Sequence, residues 1–140
     1  MRRFETTIDI NVPPARVWAI MGDVERWHEW TASITSVKRL DDGPMRVGSR
    51  ARVKQPKLPE SVFEVTTWNP ARGFDWVTKS PGIHGLGRHA IEPIAHGSRV
   101  TLSVTFSGPL TRVTTFFLGG LTDRYIRMEA EGLKRRAQEP

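Results

Sequence analysis

The sequence predicts a single α+β domain over residues 1–140, in which one antiparallel sheet carries its helices on one face. Three observations lead to this fold class. One strand and two short helices fit the first 30 residues, six strand-like segments follow between Ser33 and Ser107, and a helical pattern then runs almost to the C-terminus. A chain of this length buries roughly two thirds of its unfolded surface, so it has room for an internal pocket.

The N-terminal region begins with a half-buried strand. Residues 4–12 alternate between apolar and polar side chains, which is typical of a strand with one face in the core. Pro14 suits the first turn of a helix, because its missing N–H needs no partner there. We therefore expect a helix over residues 14–21 and a second short helix over residues 23–30, which Asp23 can cap.

Six further strands are predicted from alternating segments between turn residues. The clearest is 98–106, which places Val100 and Phe106 on its apolar face and Arg99 and Thr101 on its polar face. One side of the sheet is therefore expected to face water. The six strands are 34–40, 48–55, 61–68, 73–79, 84–92 and 98–106.

A long helix is predicted after Gly108 and Pro109, because apolar residues recur every three or four positions. A second apolar stripe begins at Ile126. Gly119 and Gly120 interrupt the first stripe at a cost of about 1 kcal/mol each relative to Ala, so they mark either a bend that changes the buried face of the helix or a close approach to the sheet or a ligand. The first stripe consists of Leu110, Val113, Phe117, Leu121, Tyr125 and Met128.

Composition excludes several classes of protein. The chain has no Cys, so it has no disulfides and no thiolate nucleophile, and we expect a cytoplasmic protein without a bound cofactor. It has no apolar run long enough for a signal peptide or a membrane span, so stable membrane insertion is not expected. The net charge is +6, but the cations are dispersed and not interleaved with aromatic residues, which argues against nucleic acid as a partner.

The stretch SPGIHGLGRHAIEP, residues 80–93, is rich in glycine and histidine. It lacks the Lys and Ser/Thr of a phosphate-binding loop, and it leads into a strand instead of a helix. His84 and His89 are five residues apart, so they point to opposite faces of a strand and cannot bind one metal ion. The segment is therefore predicted to be a strand without a metal site.

The parity of this strand distinguishes the two histidines. His89 shares a face with Ile91, which is expected to point inward, and Gly85 and Gly87 lie on the same face. Missing side chains at the two glycines leave space or allow a close approach. We expect this face to form a cavity wall with His89 as its one reactive group; the alternative is a histidine that serves only the core.

Aromatic residues dominate the other inward positions. Phe74 and Trp76 share one face of their strand, and Trp27 and Trp30 lie in the second short helix. They either fill the core or surround a flat ligand. The predicted ligand-binding residues are Trp27, Trp30, Phe63, Phe74, Trp76, Gly85, Gly87, His89, Phe106, Phe117, Leu121 and Tyr125.

Several stretches share their pattern with a known superfamily. They are FETTIDINVPPARVWAIMGDVERWHEW, FEVTTWNPARGFDW, HAIEP, HGSRVTLSV and the closing helix with Leu133 and Lys134. In these stretches the chain resembles the START-like, helix-grip superfamily, which includes polyketide cyclases and dehydrases, lipid-transfer domains and the birch-pollen-allergen type of plant carrier. The resemblance implies a curved seven-stranded antiparallel sheet wrapped around the long C-terminal helix, with an apolar cavity between them.

Two functions follow from the resemblance and the residues together. The first is binding of a hydrophobic small molecule, lipid-like or aromatic, without catalysis. The alternative is a cyclase or dehydrase in which His89 and Tyr125 handle protons across the cavity, with the tyrosine on the helix opposite the histidine on the sheet. A third class, a protein-interaction module, would need an exposed apolar patch. A homodimer is a possible means of protecting the edge strands.

Overall fold

The computed structural model describes residues 1–140 and confirms the predicted fold class. Seven antiparallel strands form one sheet in the order β1-β7-β6-β5-β4-β3-β2. The elements are β1 (Arg2–Ile10), α1 (Pro14–Met21), a 3-10 helix (Val24–Glu29), β2 (Ser36–Arg39), β3 (Arg50–Lys54), β4 (Ser61–Asn69), β5 (Gly73–Ser80), β6 (Ile83–Ile94), β7 (Gly97–Ser107) and α2 (Thr111–Ala137).

The long helix α2 is held on two sides, by β1 and by the β3–β4 loop. Near the β1 edge, Gly119 of α2 lies against the ring of Phe4, where an added Cβ would be 3.2 Å from the Phe4 Cζ. On the other side, the Tyr125 hydroxyl donates a hydrogen bond to the carbonyl of Pro56 in the β3–β4 loop. The helix thus crosses the concave face of the sheet.

Register fixes which side chains reach that concave face. Trp76 of β5 pairs with Gly87 of β6, and Phe74 pairs with His89. These four residues are buried, whereas the intervening Arg88 is exposed and pairs with Asp75 on the convex side. The alternation predicted for β5 and β6 is therefore the one that the sheet adopts.

The predicted boundaries differ from the structure mainly at the turns. The second helix is a 3-10 helix of six residues, Val24–Glu29, instead of an α-helix over 23–30. The strand predicted at 48–55 begins only at Arg50, because Gly48 has a φ of +93° and bends the chain before the strand. The strand predicted at 34–40 is reduced to Ser36–Arg39.

The long helix α2 continues without a break through Gly119 and Gly120. Gly119 provides a close approach to β1, whereas a Cβ at Gly120 would meet nothing within 4 Å. A tighter approach occurs near the end of α2, where a Cβ at Gly132 would overlap the carbonyl oxygen of Trp30. Of the two alternatives for the glycine pair, close approach to the sheet describes Gly119.

The first apolar stripe of α2 faces away from the sheet from Val113 to Leu121, which corrects the prediction, and only further along, at Tyr125, is it buried. Val113 and Phe117 are exposed, and the inward positions of this half are Thr114, Leu118 and Thr122. The cause is geometric, since residues four apart advance about 40° around a helix of 3.6 residues per turn. A stripe extended backward from Tyr125 in steps of four has therefore rotated to the solvent side by Phe117.

The hydrophobic core occupies the end of the sheet that α1 and the 3-10 helix cover. It joins these helices to the C-terminal half of α2 and to the buried ends of the strands. No helix combines the length and apolar composition needed to cross a bilayer. The largest fully buried core side chains include Ile10, Val17, Met21, Val24, Trp27, Phe74, Leu102 and Leu133.

Candidate functional site

A cavity of about 350 Å³ lies between the sheet and the N-terminal two thirds of α2. The core closes one end. The other end is bordered by the β3–β4 loop at Pro59, the β5–β6 turn at Ser80 and Ile83, and α2 at Thr114. Pro59 and Ser80 are exposed, so this end is the mouth of the cavity.

Eight of the twelve predicted ligand-binding residues line this cavity, and all eight come from the sheet, the 3-10 helix or the middle of α2. The other four lie elsewhere and are described below. The eight lining residues are Trp27, Phe63, Trp76, Gly85, Gly87, His89, Phe106 and Tyr125.

Trp30 and Phe74 lie in the core behind the cavity, contrary to the prediction. Trp30 follows the 3-10 helix and packs on Trp27 and on the backbone of Gly132. Phe74 stands near the end of the sheet under α1, where it contacts Trp18 and Trp68. Both side chains point inward, but α1 and the 3-10 helix have already filled that end of the fold.

Phe117 and Leu121 also lie outside the cavity. The ring of Phe117 is 74% exposed and Leu121 is half-buried, because the helix rotation described above turns their face away from the sheet. Leu118 and Thr122, each one position further along, line the cavity in their place. Because Leu118 is apolar and Thr122 is polar, the two residues do not form an apolar stripe that would predict an inward face.

The two glycines of β6 make room for neighbouring side chains on the cavity wall. A Cβ at Gly87 would come within 3.0 Å of the Trp76 Cδ1, so the missing side chain lets the indole lie close to the strand. A Cβ at Gly85 would be 3.2 Å from the Thr78 Cγ2 and 3.7 Å from the Phe106 ring. The space at Gly85 is therefore bounded by side chains and not by backbone.

His89 lies at the inner end of the cavity, held by aromatic rings. Its imidazole stacks on Phe74 with a centroid separation of 4.3 Å and an interplanar angle of 7°. Trp27 and Trp76 approach the ring at 5.4 and 5.9 Å. The side chain is 7% exposed, so these contacts fix its orientation.

A main-chain hydrogen bond determines which nitrogen of His89 carries a proton. Nδ1 lies 3.2 Å from the carbonyl oxygen of Phe74. A carbonyl oxygen only accepts, so Nδ1 is the donor. The second nitrogen, Nε2, is directed toward α2.

Glu129 of α2 is the residue beside Nε2. Its Oε1 is 3.5 Å from Nε2, and its side chain is 14% exposed. A carboxylate oxygen only accepts, so Nε2 can donate to Glu129 when it carries a proton. The arrangement can donate a proton and accept one at the wall of an apolar cavity.

Tyr125 was expected opposite His89 as its catalytic partner. It does line the cavity, but its hydroxyl donates to the Pro56 carbonyl, so it tethers the β3–β4 loop to α2. Glu129 is not among the site residues that the sequence predicts. The sequence feature that could have indicated Glu129 is its position four residues after Tyr125, which places it on the same helix face. An acidic side chain is unusual on a face that is predicted to point inward.

Family comparison identifies the class of this chain. Residues 1–138 match the family described as polyketide cyclase / dehydrase and lipid transport, and the chain belongs to that family. This result confirms the resemblance found in the sequence.

Solved structures share the fold at low sequence identity. The ZhuI aromatase/cyclase from Streptomyces sp. R1128 superposes with a TM-score of 0.81 at 15% identity, covering 98% of this chain and 93% of that one. The hypothetical protein jhp0584 from Helicobacter pylori gives 0.83 at 10% identity, with coverage of 98% and 88%. Ara h 8.0201 gives 0.66 at 17% identity, with coverage of 94% and 97%.

One match in sequence is to a porin and covers only a short part of this chain. The major outer membrane porin of Chlamydia muridarum is 43% identical over a stretch that covers 31% of this chain and 13% of the porin. The chain thus spans about an eighth of the porin's length, and the stretch is too short to define a family.

Proposed function

We propose that this protein binds a flat hydrophobic molecule that carries one polar group, such as a carbonyl or hydroxyl. The observation that carries the proposal is an aromatic-lined cavity whose inner end holds one polar pair, His89 and Glu129, with Nε2 and Oε1 3.5 Å apart. The apolar body of the ligand lies against Trp27, Phe63 and Trp76. Its polar group reaches the pair formed by His89 and Glu129.

The size of the cavity supports an aromatic ligand of more than one ring. A dry cavity of about 150 Å³ holds benzene, and the present one is about 350 Å³. The tryptophans and Phe63 provide flat walls, and aromatic pairs add about 0.5–1.5 kcal/mol each beyond the burial of area. Two fused rings with a short substituent fit these dimensions.

The buried pair supplies selectivity for the polar group. A hydrogen bond contributes a net free energy of about 1 kcal/mol, but a buried polar group left without a partner costs up to about 3 kcal/mol. A ligand carbonyl that accepts a hydrogen bond from Nε2–H is favoured over a hydrocarbon of the same shape, because the hydrocarbon displaces water from the pair and offers its polar atoms no partner. We expect acetylnaphthalene to bind about tenfold more tightly than naphthalene.

Binding is tested by displacement of the fluorescent probe N-phenylnaphthylamine. The variant Gly85→Leu fills the cavity from β6 and should abolish probe uptake, because the added side chain extends toward Phe106. The matched control is His84→Leu, which adds the same side chain at the neighbouring exposed position. Equal uptake by the two variants would rule out this cavity as the binding site.

The polar end is tested separately with Glu129→Leu. The change removes the carboxylate beside Nε2, and a neutral imidazole whose Nδ1–H is donated to the Phe74 carbonyl has no proton on Nε2 for a ligand carbonyl. The preference for acetylnaphthalene over naphthalene should disappear while naphthalene affinity is retained. An unchanged preference would show that the pair does not contact the ligand.

A second candidate function is dehydration, and the observation that favours it is the contact of 3.5 Å between Nε2 of His89 and Oε1 of Glu129. In a β-hydroxy ketone, the Glu129 carboxylate would take the α-proton as the C–H bond breaks. The β-hydroxyl would leave as water with the Nε2 proton of His89, and an enone would form. Because the pair gains one proton and gives up one, a transfer from the Glu129 carboxyl to Nε2 restores the starting state.

The aldol adduct of naphthaldehyde and acetone is a suitable probe for dehydration, since the enone product absorbs at longer wavelength. If the protein is an enzyme of this kind, Glu129→Gln should lower kcat by about 10²-fold or more. Binding of the adduct without any enone formation by the unaltered protein would leave binding as the sole function of the site.

A further inference from the structure

The outer face of the first turns of α2 exposes four large apolar side chains. We call this surface the helix-end patch; it consists of Leu110, Val113, Phe116 and Phe117, which are 46%, 56%, 81% and 74% exposed. Phe116 and Phe117 pack edge to face, with centroids 5.0 Å apart. Single exposed apolar residues are ordinary, but a contiguous group with two phenyl rings is typical of a docking surface.

The charges around the patch are almost all positive. Arg2 and Arg112 line an open groove beside Phe116, between β1 and α2. The one acidic residue in the groove, Asp123, is already paired with Arg127 at 3.0 Å. Between Glu92 and Asp123 the chain contains no Asp or Glu. The surface therefore combines apolar side chains with uncompensated cations.

The patch also adjoins the mouth of the cavity. Thr114 and Leu118 belong to the same turns of α2 and line the cavity from within. Leu110 packs over Gly82 in the β5–β6 turn, which borders the mouth, and Lys79 at the end of β5 is exposed there. A molecule that leaves the cavity at this end emerges beside the helix-end patch.

We propose that the helix-end patch docks the protein onto the surface of an anionic lipid bilayer. The phenyl rings enter the interface between headgroups and acyl chains, and Arg2, Arg112 and Lys79 contact the anionic headgroups. A second copy of the chain fits this surface less well, because a twofold contact would bring the same cations face to face. The proposal depends on the surface alone and not on the ligand of the cavity.

Cosedimentation with vesicles tests the proposal. The full chain should bind vesicles of phosphatidylcholine mixed with phosphatidylglycerol, and bind vesicles of phosphatidylcholine alone far more weakly. Raising salt from about 0.1 M to about 1 M should release it, since the screening length falls from about 10 Å to about 3 Å. No binding to the anionic vesicles at low salt would overturn the proposal.

Paired variants separate the apolar and the charged contributions. Replacing both rings, Phe116→Ser with Phe117→Ser, should weaken binding at least tenfold, or about 1.4 kcal/mol. Replacing both cations, Arg2→Gln with Arg112→Gln, should weaken it about fivefold for each residue removed. The matched controls are Val47→Ser, an exposed apolar residue in the β2–β3 loop, and Lys38→Gln on the opposite edge strand.

The controls should leave vesicle binding unchanged. If Val47→Ser weakens binding as much as the double phenylalanine variant does, the patch is not the docking surface. Dimerisation in analytical ultracentrifugation that the phenylalanine variant abolishes, together with no vesicle binding, would assign the patch to self-association and overturn the proposal.

Discussion

The imidazole of His89 lies parallel to the ring of Phe74, with a centroid separation of 4.3 Å. Phe74 therefore acts on the site in two ways, since its carbonyl oxygen accepts the hydrogen bond from Nδ1–H and its ring supports one face of the imidazole. Only the second contribution depends on the side chain. Phe74 is thus a positioning residue whose two roles can be separated by mutation.

Phe74→Leu should remove the stacking while the main-chain hydrogen bond remains. We expect a loss of about 1–3 kcal/mol in the free energy of unfolding, because a buried ring is replaced by a smaller side chain. The preference for acetylnaphthalene over naphthalene should fall as well, as Nε2 becomes less well placed. Urea denaturation and probe displacement measure the two effects, and an unchanged preference would show that stacking does not position His89.

The glycines of α2 should respond in opposite directions to alanine. A Cβ at Gly132 would overlap the Trp30 carbonyl oxygen, so Gly132→Ala must displace backbone and should destabilise the fold by about 2–3 kcal/mol. Gly120→Ala meets open space and should stabilise the helix by up to about 1 kcal/mol. Thermal unfolding of the two variants checks both signs. A stabilised Gly132→Ala variant would contradict the close approach of α2 to the 3-10 helix.

The hydroxyl of Tyr125 should govern the mobility of the β3–β4 loop. Tyr125→Phe removes the hydrogen bond to Pro56 and should cost about 1 kcal/mol of stability. Because Leu58 and Pro59 of this loop line the cavity, ligand exchange should become faster. Hydrogen exchange of amides in residues 55–60 and stopped-flow release of the probe measure the change. Unaltered exchange in the loop would mean that other contacts hold it.

Acid should weaken the link between the 3-10 helix and the end of α2. A hydrogen bond from Arg26, together with one from Arg136 at 2.6 Å, holds the pKa of Glu29 below its usual value of 4.5. A depressed pKa gives stability that is present above pH 4.5 and is lost as the pH falls through the folded-state value.

The variant Glu29→Gln tests this pH dependence. Below pH 4.5, the stability of the unaltered protein should fall more steeply with decreasing pH than that of the variant. Chemical denaturation at several pH values measures the slopes. Lys38→Gln is the control for a neutral change at the surface, and parallel slopes for Glu29→Gln and the unaltered protein would exclude the proposed role of Glu29.

The sequence predicts the element order well because its strands alternate in apolar and polar residues, and β6 alternates between buried and less buried side chains from His84 to Glu92. The inward direction of His89, Gly85 and Gly87 follows from that alternation alone. The inward face of α2 does not, because a helix rotates and an apolar stripe fits more than one face. Phe117 was therefore placed in the cavity, although it lies on the solvent side.

Glu129 could not be found from hydrophobic periodicity, because that method treats an acidic residue as a sign of the surface. Its role depends on Nε2 of His89, which is 40 positions earlier in the sequence and on another element. The cavity ends where α1 and the 3-10 helix cover the concave face of the sheet. Because of this boundary, Trp27 lines the cavity and Trp30 does not. Such boundaries arise from packing among several elements.

The pairing of β1 with β7 has a consequence for how the chain acquires its structure. Asp9 and Arg99 form an ion pair across the two strands although 90 positions separate them in the sequence. Closing so long a loop costs entropy before any contact compensates it, so folding on the millisecond-to-second scale is expected. During synthesis on the ribosome, β1 can pair with β7 only after all the other strands have been made. The helix α2 is synthesised after β7. The cavity is therefore among the last features to form, and a ligand can enter only a nearly complete chain.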